Sequence, residues 1–172
     1  PYYGSDSTIA PRDIAAEAQL WMEEIALEQA TTERPVSVIR ASNVQGVPIT
    51  GPPGNGLLHK WASEAPIGWV NVPGDGSDFK DFVHVQDLVE CIMRVMADPP
   101  PTRESIAIGS GKGIQLRDLA AIYNQMTGCE AEYGQNHDQE VFGIVDASEV
   151  EMRLGFRPTV SLEEMIKESF EA

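Results

Sequence analysis

Arg40 and Lys80 are the residues of this sequence best placed to bind and orient a ligand. Only 12 Lys and Arg stand against 27 Asp and Glu in 172 residues, so a cation beside a glycine-rich turn needs an account. Arg40 closes the β-branched run Val36-Ser37-Val38-Ile39 and leads into a loop that holds Asn43. Lys80 follows the turn Gly74-Asp75-Gly76. In an open α/β sheet, ligands gather at the carboxyl ends of strands, and both residues fall there. The chemistry they support is capture of a phosphorylated or otherwise anionic small molecule. The plainer alternative is two surface ion pairs.

Other constellations carry less. The run Gly109-Ser110-Gly111-Lys112-Gly113 resembles a phosphate loop only in part. That loop needs a glycine five residues before the Gly-Lys pair and a Ser or Thr after it, where this chain has Ile106 and Gly113. A glycine turn between a strand and a helix is the better account. His84 sits between Val83 and Val85 and reads as a packed, hydrogen-bonded residue, while His59 and His137 are isolated. No Ser-His-Asp set and no nucleophile elbow can be assembled. Asp75, Asp78, Asp81 and Asp87 lie close together but off the spacing of a calcium loop, and Asp81 and Asp87 have turn or capping roles, so no metal site is expected. Cys91 and Cys129, the only 2 cysteines, read as reduced thiols.

The elements that must position Arg40 and Lys80 follow from periodicity. Ile14, Ala18, Trp21 and Ile25 recur at three- and four-residue steps, predicting a helix from Pro11 to Ala30. Pro35 stops it, and Val36–Arg40 is a strand. Helix, short link and apolar strand make the second half of a parallel crossover, hence an α/β fold. Residues 41–56 hold four glycines and three prolines and predict no regular structure. Beyond them come a helix from Leu57 to Glu64, strands at Trp69–Val72 and Asp81–Val85, and a helix that Asp87 would cap. Then follow a strand at Ser105–Ile108, a helix at Leu116–Thr127 closed by Gly128, and an edge strand at Glu130–Tyr133. A polar loop follows over residues 134–140. A helix from Asp146 to Leu154 ends at Gly155, and a last one runs from Ser161 to Phe170 with Ser161 and Glu164 at capping-box spacing.

The net charge of −15 and pI near 4.4 argue against nucleic acid, which needs clustered Lys and Arg. No stretch approaches twenty apolar residues, so no membrane span is expected. No signal peptide is visible, and the expected location is cytoplasmic.

Several motifs coincide in order. Arg40-Ala41-Ser42-Asn43-Val44-Gln45-Gly46 resembles the "RPxNvYGP" segment of the extended short-chain dehydrogenases that act as nucleotide-sugar epimerases and dehydratases. Gly74 to Asp87 resembles their "GdGxxxRDFvhVdD" signature, Ser105 to Leu119 their "yNiGsGxxxslxEl" run, and Asp146 to Leu162 their closing segment. The resemblance spans essentially the whole chain. It implies the C-terminal part of a Rossmann-like fold with a small mixed α/β substrate-binding subdomain. Residues 1–46 would end the Rossmann-like sheet and 47–172 would mainly form the subdomain. The N-terminal half with its GxxGxxG loop, which holds NAD(P) in the family, is not in this sequence, so cofactor binding by this chain alone is doubtful. The implied substrate-binding residues are Asn43, Lys80, Arg40, Gly74 and Gly76. Lys80 stands where the family usually has Arg, which trades a bidentate fork for a point charge.

The resemblance also locates a departure. The family's catalytic Tyr and Lys, four residues apart on the helix before the "RPxN" strand, fall on Ala15 and Gln19, whereas the downstream Glu is matched by Glu23. Neither Ala nor Gln transfers a proton usefully. Tyr3 is an alternative acid/base, although Ser7 rather than Lys stands four residues on. The implied function is nucleotide-sugar binding without the standard dyad. The alternatives are a part of an active NAD(P)-dependent epimerase, dehydratase or reductase, and a reductase-like terminal domain of a multimodular synthase. The exposed residues expected on the first helix, Ile14, Trp21 and Ile25, imply a homodimer or pairing with the N-terminal half.

Overall fold

The computed structural model of the chain describes residues 2–3, 11, 13–47, 56–134 and 143–171. A short strand, β1 (Tyr2–Tyr3), precedes α1 (Ile14–Glu28). The helix begins at Ile14 rather than Pro11 because the Asp13 side chain accepts the Ala16 amide at 2.8 Å and so caps it. β2 (Val36–Ala41) follows as expected. The segment after it departs from expectation, because Asn43–Gln45 forms a strand, β3, despite the glycines and prolines around it. Its register is supplied from far along the chain, by parallel pairing of Asn43 with Phe82 and Gln45 with His84. Residues 48–55 of that loop lie outside the described residues, as do His137 and most of the expected polar loop at 134–140.

The chain continues through α2 (Leu57–Glu64), β4 (Trp69–Val72), β5 (Phe79–Lys80), β6 (Phe82–His84) and α3 (Val85–Ala97). After these come β7 (Arg103–Ile108), β8 (Ile114–Gln115), α4 (Leu116–Thr127), β9 (Glu130–Tyr133) and β10 (Ile144–Val145). Two helices close the chain, α5 (Ala147–Leu154) and α6 (Leu162–Glu171). Gly128 and Gly155 end α4 and α5 in the left-handed region, at φ of 77° and 61°. The capping box forms as its spacing predicts. The Ser161 amide donates to Glu164 Oε2 at 2.8 Å and the Glu164 amide to Ser161 Oγ at 3.2 Å.

One expected cap is corrected. The backbone turns helical at Val85, so the N-cap of α3 is His84, whose Nδ1 accepts the Gln86 amide at 3.2 Å. Asp87 falls inside the first turn. Its buried carboxylate instead accepts the Thr159 amide and Oγ1 at 3.0 and 3.2 Å and the Val160 amide at 3.1 Å. It thereby pins the link between α5 and α6.

Four strand pairs are parallel: β1 with β10, β2 with β7, β3 with β6 and β4 with β9. β5 and β8 run antiparallel, with Lys80 opposite Ile114. Two hydrophobic cores lie on either side of β6, and its alternation assigns one residue to each. Phe82 joins Leu58, Trp61, Val70, Leu119, Tyr123 and Ile166 in the first. Val83 joins Cys91, Val95, Ile106, Ile108 and Val150 in the second, against which Ile39 of β2 packs. Segments 36–46, 83–108 and 147–156 therefore meet around one core. In the other, the Trp61 indole donates to the Asn71 carbonyl at 2.9 Å and meets Tyr123 edge-on at 5.4 Å between centroids.

α1 is different. None of its residues is buried, although Ala16, Leu20, Glu23 and Leu27 are partly covered on one side. On the opposite side Ile14, Trp21 and Ile25 are 84%, 64% and 60% exposed. An apolar stripe turned away from the chain's own sheet is a surface that solvent does not favour. Among the described residues, no helix is long and apolar enough to cross a membrane.

Candidate functional site

The turn Gly74-Asp75-Gly76 shapes the edge at which the site lies. Gly74 and Gly76 have φ of 58° and 74°, a region that glycine enters without a Cβ penalty. The Gly76 amide donates to the Pro73 carbonyl at 3.3 Å, and Asp75 Oδ1 accepts the Ser77 amide at 2.9 Å. Hydrogen bonds from the Ser77 hydroxyl and amide hold the Asp75 carboxyl below its usual range. A Cβ on Gly76 would stand 2.9 Å from the Tyr133 ring and 3.0 Å from Arg117 Cβ. These glycines therefore act by letting the turn close against α4 and β9, and it is Pro73 that reaches the site.

The site itself is a cavity of about 230 Å³ with apolar walls from Leu57, Pro73, Phe82 and Leu116, and polar groups from Asn43, Lys60 and Lys80. β3 supplies Asn43, whose backbone amide and Nδ2 both donate to the Asp81 carbonyl, at 3.1 and 2.8 Å. β5 supplies Lys80 and β6 supplies Phe82, on either side of Asp81. α2 enters with Leu57 and Lys60. Its N-cap, Gly56, has no side chain with which to accept from the first amides of the helix. A helix start of that kind attracts anions. Lys60 pairs with Glu64 one turn on, at 3.8 Å, and its side chain is 53% exposed.

The structure thus brings Asn43 and Lys80 together, as their motifs imply, and adds Lys60. The motifs do not single out Lys60, though one signal was available: a cation at the start of the helix that follows a glycine-proline loop, in a chain poor in cations. Arg40 is not at this cavity. Its Nε and Nη2 both reach Glu23 Oε2, at 2.8 and 2.7 Å, tying β2 to α1. Ala15 and Gln19 are exposed on α1. Tyr3 is placed by its backbone alone, on β1 beside Val145.

Asp81 does not cap a helix. It is fully buried, and its carboxylate accepts the Ser110 amide at 2.9 Å, Ser110 Oγ at 2.6 Å, the Gly111 amide at 3.2 Å and the Val145 amide at 3.0 Å. The Ser110 and Gly111 amides, which a phosphate loop would offer to its ligand, are already taken by this internal carboxylate. His84 is buried as read. With Nδ1 accepting from Gln86, its Nε2 carries the proton and donates to Glu168 Oε2 at 2.9 Å. Burial pushes the Cys91 thiol up from its usual value, which suits an inert core residue. Among the described residues, no group of three His, Cys, Asp or Glu side chains is arranged to hold a metal ion.

A larger hollow of about 370 Å³ lies between β7 and α5, lined by Glu104, Ser105, Ile106, Glu149, Met152 and Arg153. Arg153 is engaged there by Glu104 at 2.9 Å and Asp98 at 2.8 Å. It brings together none of the implied substrate-binding residues, so the smaller cavity is the candidate.

Comparison with known proteins identifies the family. Residues 3–109 match the NAD dependent epimerase/dehydratase family. The chain is 29% identical to a dTDP-L-rhamnose 4-epimerase of Burkholderia thailandensis over 150 residues, 80% of this chain and 39% of that protein. It is 30% identical to GDP-L-fucose synthase 1 of Arabidopsis thaliana over 105 residues, 59% of this chain and 32% of that one. The chain therefore spans about a third of the length of the curated relatives it matches. Among solved structures, UDP-glucose 4-epimerase from Bifidobacterium longum, in complex with NAD+ and UDP, superimposes with a TM-score of 0.81 at 18% identity, over 98% of this chain and 57% of that one. UDP-glucuronic acid 4-epimerase from Bacillus cereus, in complex with UDP-glucuronic acid and NAD, gives 0.84 at 16% identity, over 99% and 55%. These likenesses show the Rossmann-like fold of the extended short-chain dehydrogenases. With four sequence motifs in order and a family match over residues 3–109, the chain belongs to the NAD-dependent epimerase/dehydratase family.

Proposed function

We propose that this chain is the nucleotide-sugar-binding part of an epimerase/dehydratase-like protein, and that the cavity at Asn43, Lys60 and Lys80 takes the diphosphate of the ligand. The observation that carries this is the convergence of two lysines, one carboxamide and the start of α2 on a single cavity in a chain with only 12 basic residues. Ammonium groups supply charge, amides of α2 supply directed donors, and the apolar walls exclude water around them. Relatives and neighbours whose names specify UDP, dTDP or GDP compounds support the ligand class. Two lysines answer the loss of an Arg fork at position 80, because two point charges can meet two phosphates. In this reading the substrate subdomain is built from 57–82, 114–133 and 160–170, the segments that share the first core.

NAD(P), the cofactor of the family, is not fitted by the residues of this chain. No GxxGxxG run occurs in the sequence, and Ala15 and Gln19 stand at the dyad positions. Binding rather than hydride transfer is therefore the proposed activity of this part. The apolar stripe on α1 supports a second copy, or the N-terminal half, as its cover. Calorimetric titration with UDP-, dTDP- and GDP-sugars tests the reading. Binding of one of them at micromolar level is expected, and no heat with any would refute it. A second reading, that the longer protein is an active NAD(P)-dependent enzyme, draws on the family match itself. It requires an acid/base such as Tyr3, so Tyr3→Phe in that protein should abolish NADH turnover.

A further inference from the structure

A carboxylate taken out of water without a cation costs several kcal/mol unless its lone pairs are filled. Asp81 is such a group. It is 0% exposed, no Lys, Arg or His pairs with it among the described residues, and four donors converge on it. Ser110 uses Oδ1, while the Gly111 and Val145 amides use Oδ2. The site is closely built, for a Cβ on Gly109 would come within 2.6 Å of Oδ2.

What this carboxylate grips and what its backbone carries are different things. The donors belong to the turn after β7 and to β10. The Asp81 carbonyl, in contrast, receives both donors of Asn43, and the neighbours of Asp81 in the chain are Lys80 and Phe82, both walls of the candidate cavity. One residue therefore links the anion site to two elements that line no part of it. We propose that Asp81 is a positioning residue of this site: by anchoring the β5–β6 junction to the 110–111 turn and β10, its carboxylate holds Lys80 and Asn43 at the spacing that a diphosphate requires. The inference rests on the proposed function for the identity of the ligand, but not for the positioning itself.

Asp87 provides the control. It is equally buried, accepts three donors at Thr159 and Val160, and takes no part in the cavity. Asp81→Asn and Asp87→Asn both replace a carboxylate by a group that turns an NH2 toward backbone amides, so both should lower stability. Two readouts separate them. In ligand-free protein, hydrogen exchange at the Asn43 amide reports the bond to the Asp81 carbonyl. It should lose protection by about tenfold or more in Asp81→Asn relative to Asp87→Asn at equal global stability. In titrations with UDP, dTDP and GDP under conditions where both variants are folded, Asp81→Asn should weaken binding about tenfold and Asp87→Asn less than about twofold. Equal effects of the two substitutions in both assays would overturn the proposal. Ser110→Ala, which removes the Oγ donor to Asp81 at 2.6 Å together with the contacts of Oγ to the Lys112 amide and carbonyl at 3.1 and 3.3 Å, keeps it testable if Asp81→Asn fails to fold. It should shift both readouts the same way by a few-fold, and wild-type behaviour would overturn the proposal. Failure of the wild-type chain to bind any nucleoside diphosphate would instead refute the proposed function, with the Asn43 exchange still deciding the role of Asp81.

Discussion

Replacing Lys60 and Lys80 by Met, singly and together, measures the charge contribution at the cavity while keeping most of the length of each side chain. The cost of recruiting Lys60 is small. Its partner Glu64, a partly covered residue one turn on that also accepts the Asn71 amide, is 3.8 Å away, and pairs at that spacing on a helix are worth about 0.3–0.5 kcal/mol. An ammonium about 4 Å from a phosphate oxygen gains about 4 kcal/mol at an effective dielectric near 20. Solvent screening of a side chain that is 53% exposed, and the rotamer freedom lost on binding, leave about 1–2 kcal/mol. The Lys60 substitution should therefore weaken a nucleoside diphosphate about 5- to 30-fold, and the Lys80 substitution should act in the same direction. The double variant should lose no more than the sum, because both lysines address one anion. Isothermal titration with UDP, GDP and dTDP, beside the corresponding nucleosides, separates phosphate recognition from base recognition. Nucleoside affinity should be unchanged. The effect should also shrink between about 0.15 and 0.5 M salt as the screening length shortens. If both Met variants bind diphosphates as the wild type does, or lose nucleosides equally, the cavity is not a phosphate site and the reasoning fails.

Asp87→Ala should destabilise the chain by about 1–3 kcal/mol in urea unfolding, because it leaves two part-buried amides and a hydroxyl at Thr159 and Val160 without their acceptor, without changing ligand affinity. Bonds from the Ser161 amide and hydroxyl hold Glu164 below its ordinary value of 4.5, so its contribution is complete above that pH and fades as pH falls through the lower folded value. A comparison of wild type with Glu164→Gln in thermal melts from about pH 7 to pH 3 should accordingly show a gap that closes toward acid, and a gap that widens would contradict the sign. On α1, Trp21→Lys with Ile25→Lys should lower self-association in sedimentation velocity and leave the far-UV spectrum unchanged, since neither residue is buried. A wild-type chain that stays monomeric at high concentration would remove a second copy as the cover of that stripe.

Features set by neighbours in sequence were legible before the fold was known. The capping box at Ser161 and Glu164, the glycine stops after α4 and α5, and the apolar rhythm of α1 all act within a few residues. Partnerships across the chain were not legible. Asn43–Gln45 looks irregular among glycines and prolines because the strand exists only through pairing with Phe82–His84. Asp87 has the residue type of a cap, but its oxygens are claimed by donors 72 residues away. Arg40 and Glu23 were each singled out in the motifs, yet nothing in the sequence says that one carboxylate oxygen holds the guanidinium. Lys60 escaped for the same reason, since its role depends on a cavity that α2, β3 and β5 close together.

The proposed function assigns binding to this part of the protein, and Tyr123 and the surface of α1 support that reading. Proton transfer in this family depends on a tyrosine whose phenol is made easier to ionise by a neighbouring lysine, and the motif resemblance puts Ala15 and Gln19 of α1 at those two positions. Tyr123 is the opposite of a catalytic tyrosine, because burial first, then Cys129 and Glu64, push its phenol up to about 12. Its ring serves the core, between Trp61 and Phe170. Glu23, the remaining match on α1, is occupied by Arg40. The cations of the cavity, in contrast, are set against an overall charge of −15, yet screening confines that field to about 8 Å at physiological salt. An acidic chain can therefore hold an anion wherever two lysines and a helix start face the same space.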